Sequence, residues 1–281
     1  MSVSNEKVVI SASRRTDLPA FYLPWLVERV REGFVEVRNP FNAKQVRRVS
    51  LSPAEVGWMV LWSRNYRAFL REREWFEDYH LFFHFTINPP HHLLEPGMVD
   101  PATAWQQMEQ LAGFYGPERI TWRYDPIVHY RKNGVVETNH SLPYFKQSVR
   151  KASALGLKRC YISIAHIYSK MRKRAANFGE NFRFVEPSTE EADRILREMV
   201  EAASLFGVQV YSCSNLALTR IPGIRPASCI DGALLNKLGS VRVSEKKNPT
   251  RKDCGCTVSV DIGDYRAQQC RYRCLYCYAR P

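Results

Sequence analysis

Three cysteines stand close together near the end of the sequence, Cys270, Cys274 and Cys277, in the spacing Cys-x-x-x-Cys-x-x-Cys, with Tyr276 just before the third. Thiolates this close in sequence can converge on one metal centre. Three ligands, rather than four, leave one iron of a [4Fe–4S] cube open to a small molecule, and cysteine thiolates are the usual ligands of such clusters. The competing reading is a zinc knuckle, but zinc motifs usually pair cysteines as Cys-x-x-Cys and need a fourth ligand. A disulfide framework does not suit a chain of this size without a secretion signal. The spacing favours iron–sulfur over zinc.

The sequence holds eight cysteines. Cys160 lies in an apolar run and reads as a small buried hydrophobe. Four remain: Cys213, Cys229, and the Cys-Gly-Cys pair Cys254 and Cys256, where Gly255 lets the backbone turn tightly between two ligands. Four thiolates suit a second, closed [4Fe–4S] cluster or a structural zinc. The alternative is that some of the four are free thiols.

Positioning these groups falls to the rest of the 281 residues, enough for one sizeable (β/α) unit or two smaller domains. Hydrophobic residues make up 45% and charged residues 25%, the ordinary balance of a globular protein, and no stretch is apolar for the length of a membrane span. The first seven residues lack the pattern of a signal peptide, so a cytoplasmic location is expected. Lys and Arg number 41 against 28 Asp and Glu, a net charge of +13. That excess fits an anionic partner, nucleic acid or a phosphorylated metabolite, but is spread along the chain rather than gathered in a patch. The densest run, Lys170 to Arg174, is either a phosphate-contacting loop or a solvated helix face.

Short apolar runs alternate with helical patterns. Strands are expected at 7–13, 57–62, 81–87, 119–122, 160–165 and 208–211. Helices are expected from Pro19 to a stop at Gly33, from Tyr66 to about Tyr79, from Pro101 to Tyr115, from Leu142 to Leu155, and from a Ser188 or Thr189 cap to Phe206. Ser52 resembles a further helix cap. Residues 34–38 and 45–49 flank Asn39-Pro40-Phe41-Asn42 as an inserted hairpin. Six strand–helix units argue a parallel sheet with right-handed crossovers. The expected fold is α/β, a partial TIM-like (β/α) barrel over residues 1–215, followed by an irregular cysteine-rich extension over 216–281 packed on the barrel mouth. An open doubly wound sheet is the runner-up, without its usual Gly-rich fingerprint. Barrel enzymes collect their active sites at the carboxyl ends of strands. Here those ends carry Arg14, Arg15, Asp17, Ser63, Arg64, Asn88, Arg123, Tyr124, Asp125, His166, Tyr168, Ser214 and Asn215.

Two resemblances follow from these residues. Ser13-Arg14-Arg15-Thr16-Asp17, Arg38 to Asn42, Trp122 to Pro126, Cys254-Gly255-Cys256 with Asp261-Ile262-Gly263, and Cys277-Tyr278-Ala279 together resemble a prokaryotic family catalogued as domain of unknown function 1848. The terminal cysteine motif resembles that of the radical S-adenosylmethionine (SAM) superfamily, placed at the opposite end of the chain as in a circular permutation. The second resemblance implies that Cys270, Cys274 and Cys277 hold the cluster and that Tyr276 lies against the adenine of SAM. It implies that Arg14, Arg15, Ser214 and Asn215 contact the cofactor, and that Arg123, Asp125 and His166 serve catalysis. It also implies an electron donor such as ferredoxin or flavodoxin. No Gly-Gly-Glu stretch, often used by that superfamily to bind the SAM amino group, is present. Other readings are a nucleic-acid-binding protein with structural metal, and a barrel hydrolase using Asp17, Asp125 and His166 around a metal.

Overall fold

The computed structural model describes residues 6–39 and 42–280. The first five residues, the expected hairpin tip at Pro40 and Phe41, and Pro281 lie outside the described residues. In chain order the elements are β1 (Val8–Ala12), α1 (Leu18–Phe21), α2 (Leu23–Glu32), β2 (Phe34–Asn39), β3 (Asn42–Ser50), β4 (Val56–Ser63), α3 (Arg67–Arg71), β5 (Leu81–Thr86), α4 (Pro101–Tyr115) and β6 (Ile120–Ile127). There follow β7 (His129–Lys132), β8 (Val135–Thr138), α5 (Leu142–Ala154), β9 (Arg159–Ile164), α6 (Ser169–Ala176), β10 (Phe182–Val185), α7 (Thr189–Ser204), β11 (Gln209–Cys213), β12 (Ile224–Ala227), α8 (Gly232–Leu238) and β13 (Val260–Asp261).

Eight strands form one sheet in the order β12-β11-β9-β6-β5-β4-β1-β13. The fold is α/β, as the alternation of strands and helices requires. The order is linear, with β12 and β13 as its edges, and no closed barrel is formed among the described residues. The six expected strands are present. The two further ones, β12 and β13, lie in the tail over 216–281, which was expected to be irregular and to hold no long apolar strand. β12 reads Ile-Arg-Pro-Ala and β13 has only two residues, so neither displays an apolar run. Among the described residues no helix is long and apolar enough to cross a membrane.

Contacts group the chain into two compact units, each assembled from separated segments. The first comprises Met1–Phe85, Gln106–Ile120 and Ser228–Cys270. Within it β1 runs parallel to both β4 and β13, and β4 runs parallel to β5. β4 is buried along almost its whole length, as a central parallel strand with both faces covered must be. Tyr66 organises the core beside it. Its ring meets Phe69, Phe83 and Phe85 edge-on at centroid distances of 5.9, 5.6 and 4.9 Å. Its hydroxyl donates to the carbonyls of Leu61 and His84, each at 3.0 Å. Burying such rings contributes about 1.5–3 kcal/mol each, provided the polar tip is bonded.

Three helix expectations in this unit are corrected: the stretch from Pro19 to Gly33 is two helices, α1 and α2, divided at Tyr22. Residues 53–55 form a single turn in which the Ser52 hydroxyl accepts the Ala54 N–H at 3.3 Å. The apolar run of β4 begins at Val56 and leaves no room for a second turn. The segment from Tyr66 to Tyr79 is broken into α3 and a 3₁₀ turn over Arg73–Phe76, which carries Phe76 and Tyr79 into the core. The hairpin of β2 and β3 and the Gly33 helix stop, at φ 74°, are as expected.

The second unit comprises Thr86–Trp105, Thr121–Ala227 and Arg271–Pro281. β9 runs parallel to β6 and to β11, and β11 parallel to β12. α5 starts at Ser141 and α7 at Ser188, each hydroxyl accepting a first-turn N–H. A small antiparallel sheet, β10-β7-β8, is additional to the expected elements.

Candidate active site

In the second unit, the carboxyl end of β6 gathers a network of polar side chains. Arg123 forms an ion pair with Asp125, and the Ser163 hydroxyl, from β9, donates to the other oxygen of the same carboxylate. The Arg123 guanidinium also lies 6.0 Å from the centroid of the Tyr161 ring. Asn88 then locks onto the Asp125 backbone: its side-chain oxygen accepts the Asp125 N–H at 2.9 Å and its amide donates to the Asp125 carbonyl at 3.2 Å. The same amide donates to Glu95 Oε1 at 2.9 Å. That oxygen also receives the hydroxyl of Tyr276, the aromatic inside the terminal cysteine motif. Asn88, Glu95 and Tyr276 are all buried. One chain of hydrogen bonds therefore runs from the cysteine loop to the end of a central strand.

The loop itself is held by its backbone. The Leu275 N–H donates to the Leu94 carbonyl at 2.8 Å. The Cys277 N–H donates to the Cys274 carbonyl at 3.2 Å, closing a turn between the two cysteines. Arg174, from α6, donates from three separate nitrogens to the carbonyls of Leu275, Arg280 and Cys277. Burial lowers the pKa of Arg174, and the nearby Cys277 sulfur opposes that shift. Cys274 is buried and Cys277 half-buried. Cys270, also half-buried, ends the last segment of the first unit.

The other expected residues of the second unit follow β9 and β11. His166 is exposed and meets the Tyr168 ring edge-on at 5.2 Å, and Tyr168 in turn lies 6.0 Å from Tyr278. Cys213 ends β11, with its sulfur 3.8 Å from the Ser214 hydroxyl. Ser214 adopts φ 51°, a conformation uncommon outside glycine, and Asn215 precedes a 3₁₀ turn over Leu216–Arg220.

In the first unit Arg14 and Arg15 converge on Asp261, with nitrogens 3.6 and 3.8 Å from its carboxylate. Asp261 also accepts from the hydroxyls of Ser11 and Ser13 at 2.6 and 2.7 Å and from the Arg14 N–H at 2.8 Å. Arg15 donates to the Gly263 carbonyl at 2.9 Å. This arrangement fastens β13 to the end of β1. Asp17 is equally saturated, accepting from Ser63 Oγ and from the N–H groups of Arg64 and Ala20 at 2.8–2.9 Å. Burial raises its pKa to about 6 despite those bonds.

Cys229, Cys254 and Cys256 form a row in the same unit. Hydrogen bonding from Cys256 brings the Cys254 pKa down to about 5. The Cys256 thiol is held above its ordinary range: its bond with Cys229 lowers the pKa, but its bond with Cys254 and burial outweigh that. The Cys256 sulfur also accepts the Ile230 N–H at 3.4 Å. Thiols with one member readily ionised fit a soft metal ion in kind. Among the described residues, however, no group of three or more His, Cys, Asp or Glu side chains stands ready arranged around a metal position.

A family model described as a domain of unknown function, DUF1848, matches residues 9–279. The chain belongs to the DUF1848 family. The matched span covers all eight cysteines and every residue of the β6 network. No curated protein matches the sequence.

Several of the residues that build the site escape a reading of the sequence. Glu95 sits in a loop with no spacing signal, and only its burial marks it. Ser163 is one hydroxyl in an apolar strand. Arg174 belongs to the basic run Lys170–Arg174, in which Lys170, Arg172 and Lys173 are exposed while Arg174 alone of the cations turns inward.

Proposed function

We propose that this chain is an iron–sulfur enzyme of the radical SAM type, in which Cys270, Cys274 and Cys277 hold a [4Fe–4S] cluster with one open iron. When bound, cluster and SAM would supply one-electron cleavage of the cofactor's sulfur–carbon bond, giving methionine and a 5′-deoxyadenosyl radical that abstracts hydrogen from substrate. Cys213, Cys229, Cys254 and Cys256 would hold a second cluster or a zinc ion. The observation that carries this reading is the chain Tyr276–Glu95–Asn88–Asp125, which couples the aromatic of the cysteine motif to a polar strand end. Enzymes built on (β/α) units place their reacting groups at such strand ends.

The bonds support a role for each residue. Glu95 fixes the Tyr276 ring, so that the face expected to meet adenine is held without further ordering on binding. Asn88 holds the Asp125 backbone, and Ser163 and Arg123 hold its carboxylate. Arg174 holds the turn between Cys274 and Cys277 through the Leu275 and Cys277 carbonyls and ties Arg280 to it. Arg14 and Arg15, whose guanidinium groups are braced on Asp261, would contact the cofactor. A small reductant such as ferredoxin or flavodoxin would supply the electron.

Net charge favours a second reading, a nucleic-acid-binding protein with structural metal. That reading requires steeply salt-dependent binding that survives loss of the open cluster. The hydrolase reading loses ground, because the carboxylates of Asp17 and Asp125 are already occupied by internal donors. The deciding experiment is anaerobic reconstitution followed by reduction in the presence of SAM. The iron–sulfur reading expects 5′-deoxyadenosine, and expects none from Cys274→Ala. A fully loaded protein that leaves SAM intact would overturn it.

A further inference from the structure

The second unit carries an open pocket of about 320 Å³ beside the cysteine loop. Arg174, Arg273 and Arg280 line it together with Asn177, Phe178 and Leu93, and among the described residues no acidic side chain takes part in the lining. Three guanidinium groups on one pocket repel one another until an anion enters, and their planar forks match phosphate oxygens. Two of the three are already anchored. Arg174 is braced on the carbonyls of the cysteine loop, and Arg280 donates to the Arg273 carbonyl at 2.9 Å. A guanidinium has five N–H donors, so these anchors leave others for a ligand and reduce the ordering that binding costs. Arg273 itself sits at φ 57°, a backbone state that side-chain-bearing residues rarely adopt. Such outliers gather at ligand sites.

The pocket is not purely ionic. Phe178 is 49% exposed although it is a large apolar ring. Its contact with Phe182, at 5.3 Å between centroids, fixes the ring while leaving a face open. An exposed aromatic beside a cluster of arginines is the combination on which nucleobases stack while their phosphates are neutralised. We infer that this pocket binds a nucleoside 5′-phosphate, with the phosphate on the arginines and the base on Phe178. The ligand is either a free mononucleotide or the phosphorylated end of a strand. Its role as the enzyme's substrate rests on the iron–sulfur reading, because Arg174 joins the pocket to Cys277; the binding itself does not.

The test is calorimetric titration of the full chain with guanosine 5′-monophosphate, guanosine, inorganic phosphate and a 5′-phosphorylated dinucleotide. The expected result is saturable binding of the monophosphate that exceeds binding of both phosphate and guanosine at least about tenfold, a difference of about 1.4 kcal/mol. Arg273→Gln and Phe178→Ala should each weaken it about tenfold or more, with Arg273→Lys recovering part of the loss. Both side chains lie at the surface, and an unchanged circular dichroism spectrum verifies folding. Tighter binding of the dinucleotide than of the monophosphate assigns a strand end as the ligand, and the reverse assigns the free nucleotide. No binding, equal binding of phosphate alone, or insensitivity to both substitutions overturns the inference. Iron content and SAM cleavage are measured on the same preparation. An active, iron-loaded protein that binds no nucleotide sinks the pocket and leaves the iron–sulfur reading standing, and the converse separates them equally well.

Discussion

Glu95 serves two donors with one buried oxygen, the Asn88 amide and the Tyr276 hydroxyl. Replacing it with alanine removes the acceptor of both these bonds, and a lost acceptor for a buried donor costs about 1–3 kcal/mol. Glu95→Ala should therefore lower the unfolding free energy by at least that amount in urea titration, and should lower SAM cleavage beyond what the destabilisation explains. Wild-type stability in this variant would remove the network from the account. Asp17 makes a prediction of opposite kind. Its pKa rises from 3.8 to about 6 on folding, because burial disfavours the charged carboxylate more than its hydrogen bonds favour it. The folded state then binds the proton more tightly than the unfolded chain, so stability falls as pH rises through that window. That rise corresponds to about 3 kcal/mol. The stability difference between wild type and Asp17→Asn, measured from pH 4 to 7, should move against wild type by an amount of that order; a pH-independent difference contradicts the assignment. At this scale the sequence is informative where residues are neighbours. The Arg123–Asp125 pair is visible because the two stand two apart at a strand end. Glu95 and Ser163 join that pair only through folding, and no spacing announces them.

At the scale of elements, Arg174 is the fastening of the terminal loop. Its three nitrogens satisfy three carbonyls, a geometry that the compact ammonium of lysine cannot reproduce. Arg174→Lys should loosen the loop while sparing the sheet, with hydrogen exchange of the Leu275 and Cys277 amides accelerated about tenfold or more and that of β9 and β11 unchanged. Unchanged exchange of the Leu275 and Cys277 amides in Arg174→Lys would show that the loop is held elsewhere. Helices with explicit punctuation were legible: α4 between Pro101 and Gly116, α5 behind Ser141, α7 behind Ser188. The small antiparallel sheet was legible in principle. Asn133-Gly134 joins β7 to β8, with both residues at positive φ, which is the common two-residue hairpin turn. Val135 and Val136 stand between Gly134 and Glu137, so no alternating apolar run marks β8. β12 and β13 were illegible for a physical reason. They are short edge strands whose pairing is decided by the neighbouring strand, and by Asp261, rather than by their own hydrophobicity.

At the scale of the whole molecule, the alternation of strands and helices predicted a parallel α/β fold correctly, and the linear order of eight strands replaces the expectation of six. The closure of a barrel depends on which strand lies beside which, and that is not written in any one segment. The cysteines divide in the same way. Their number and spacing suggest two metal centres, whereas the thiol row of Cys229, Cys256 and Cys254 and the turn from Cys274 to Cys277 come only from the structure. The central claim is that the terminal motif holds a cluster that opens SAM. Its most direct test is 5′-deoxyadenosine formation by anaerobically reconstituted, reduced protein whose iron has been counted. The account predicts about eight irons per chain, or about four with one zinc, and 5′-deoxyadenosine that disappears in Cys274→Ala together with about four irons. Protein that takes up no iron, or that carries its full complement and leaves SAM uncleaved, would contradict it.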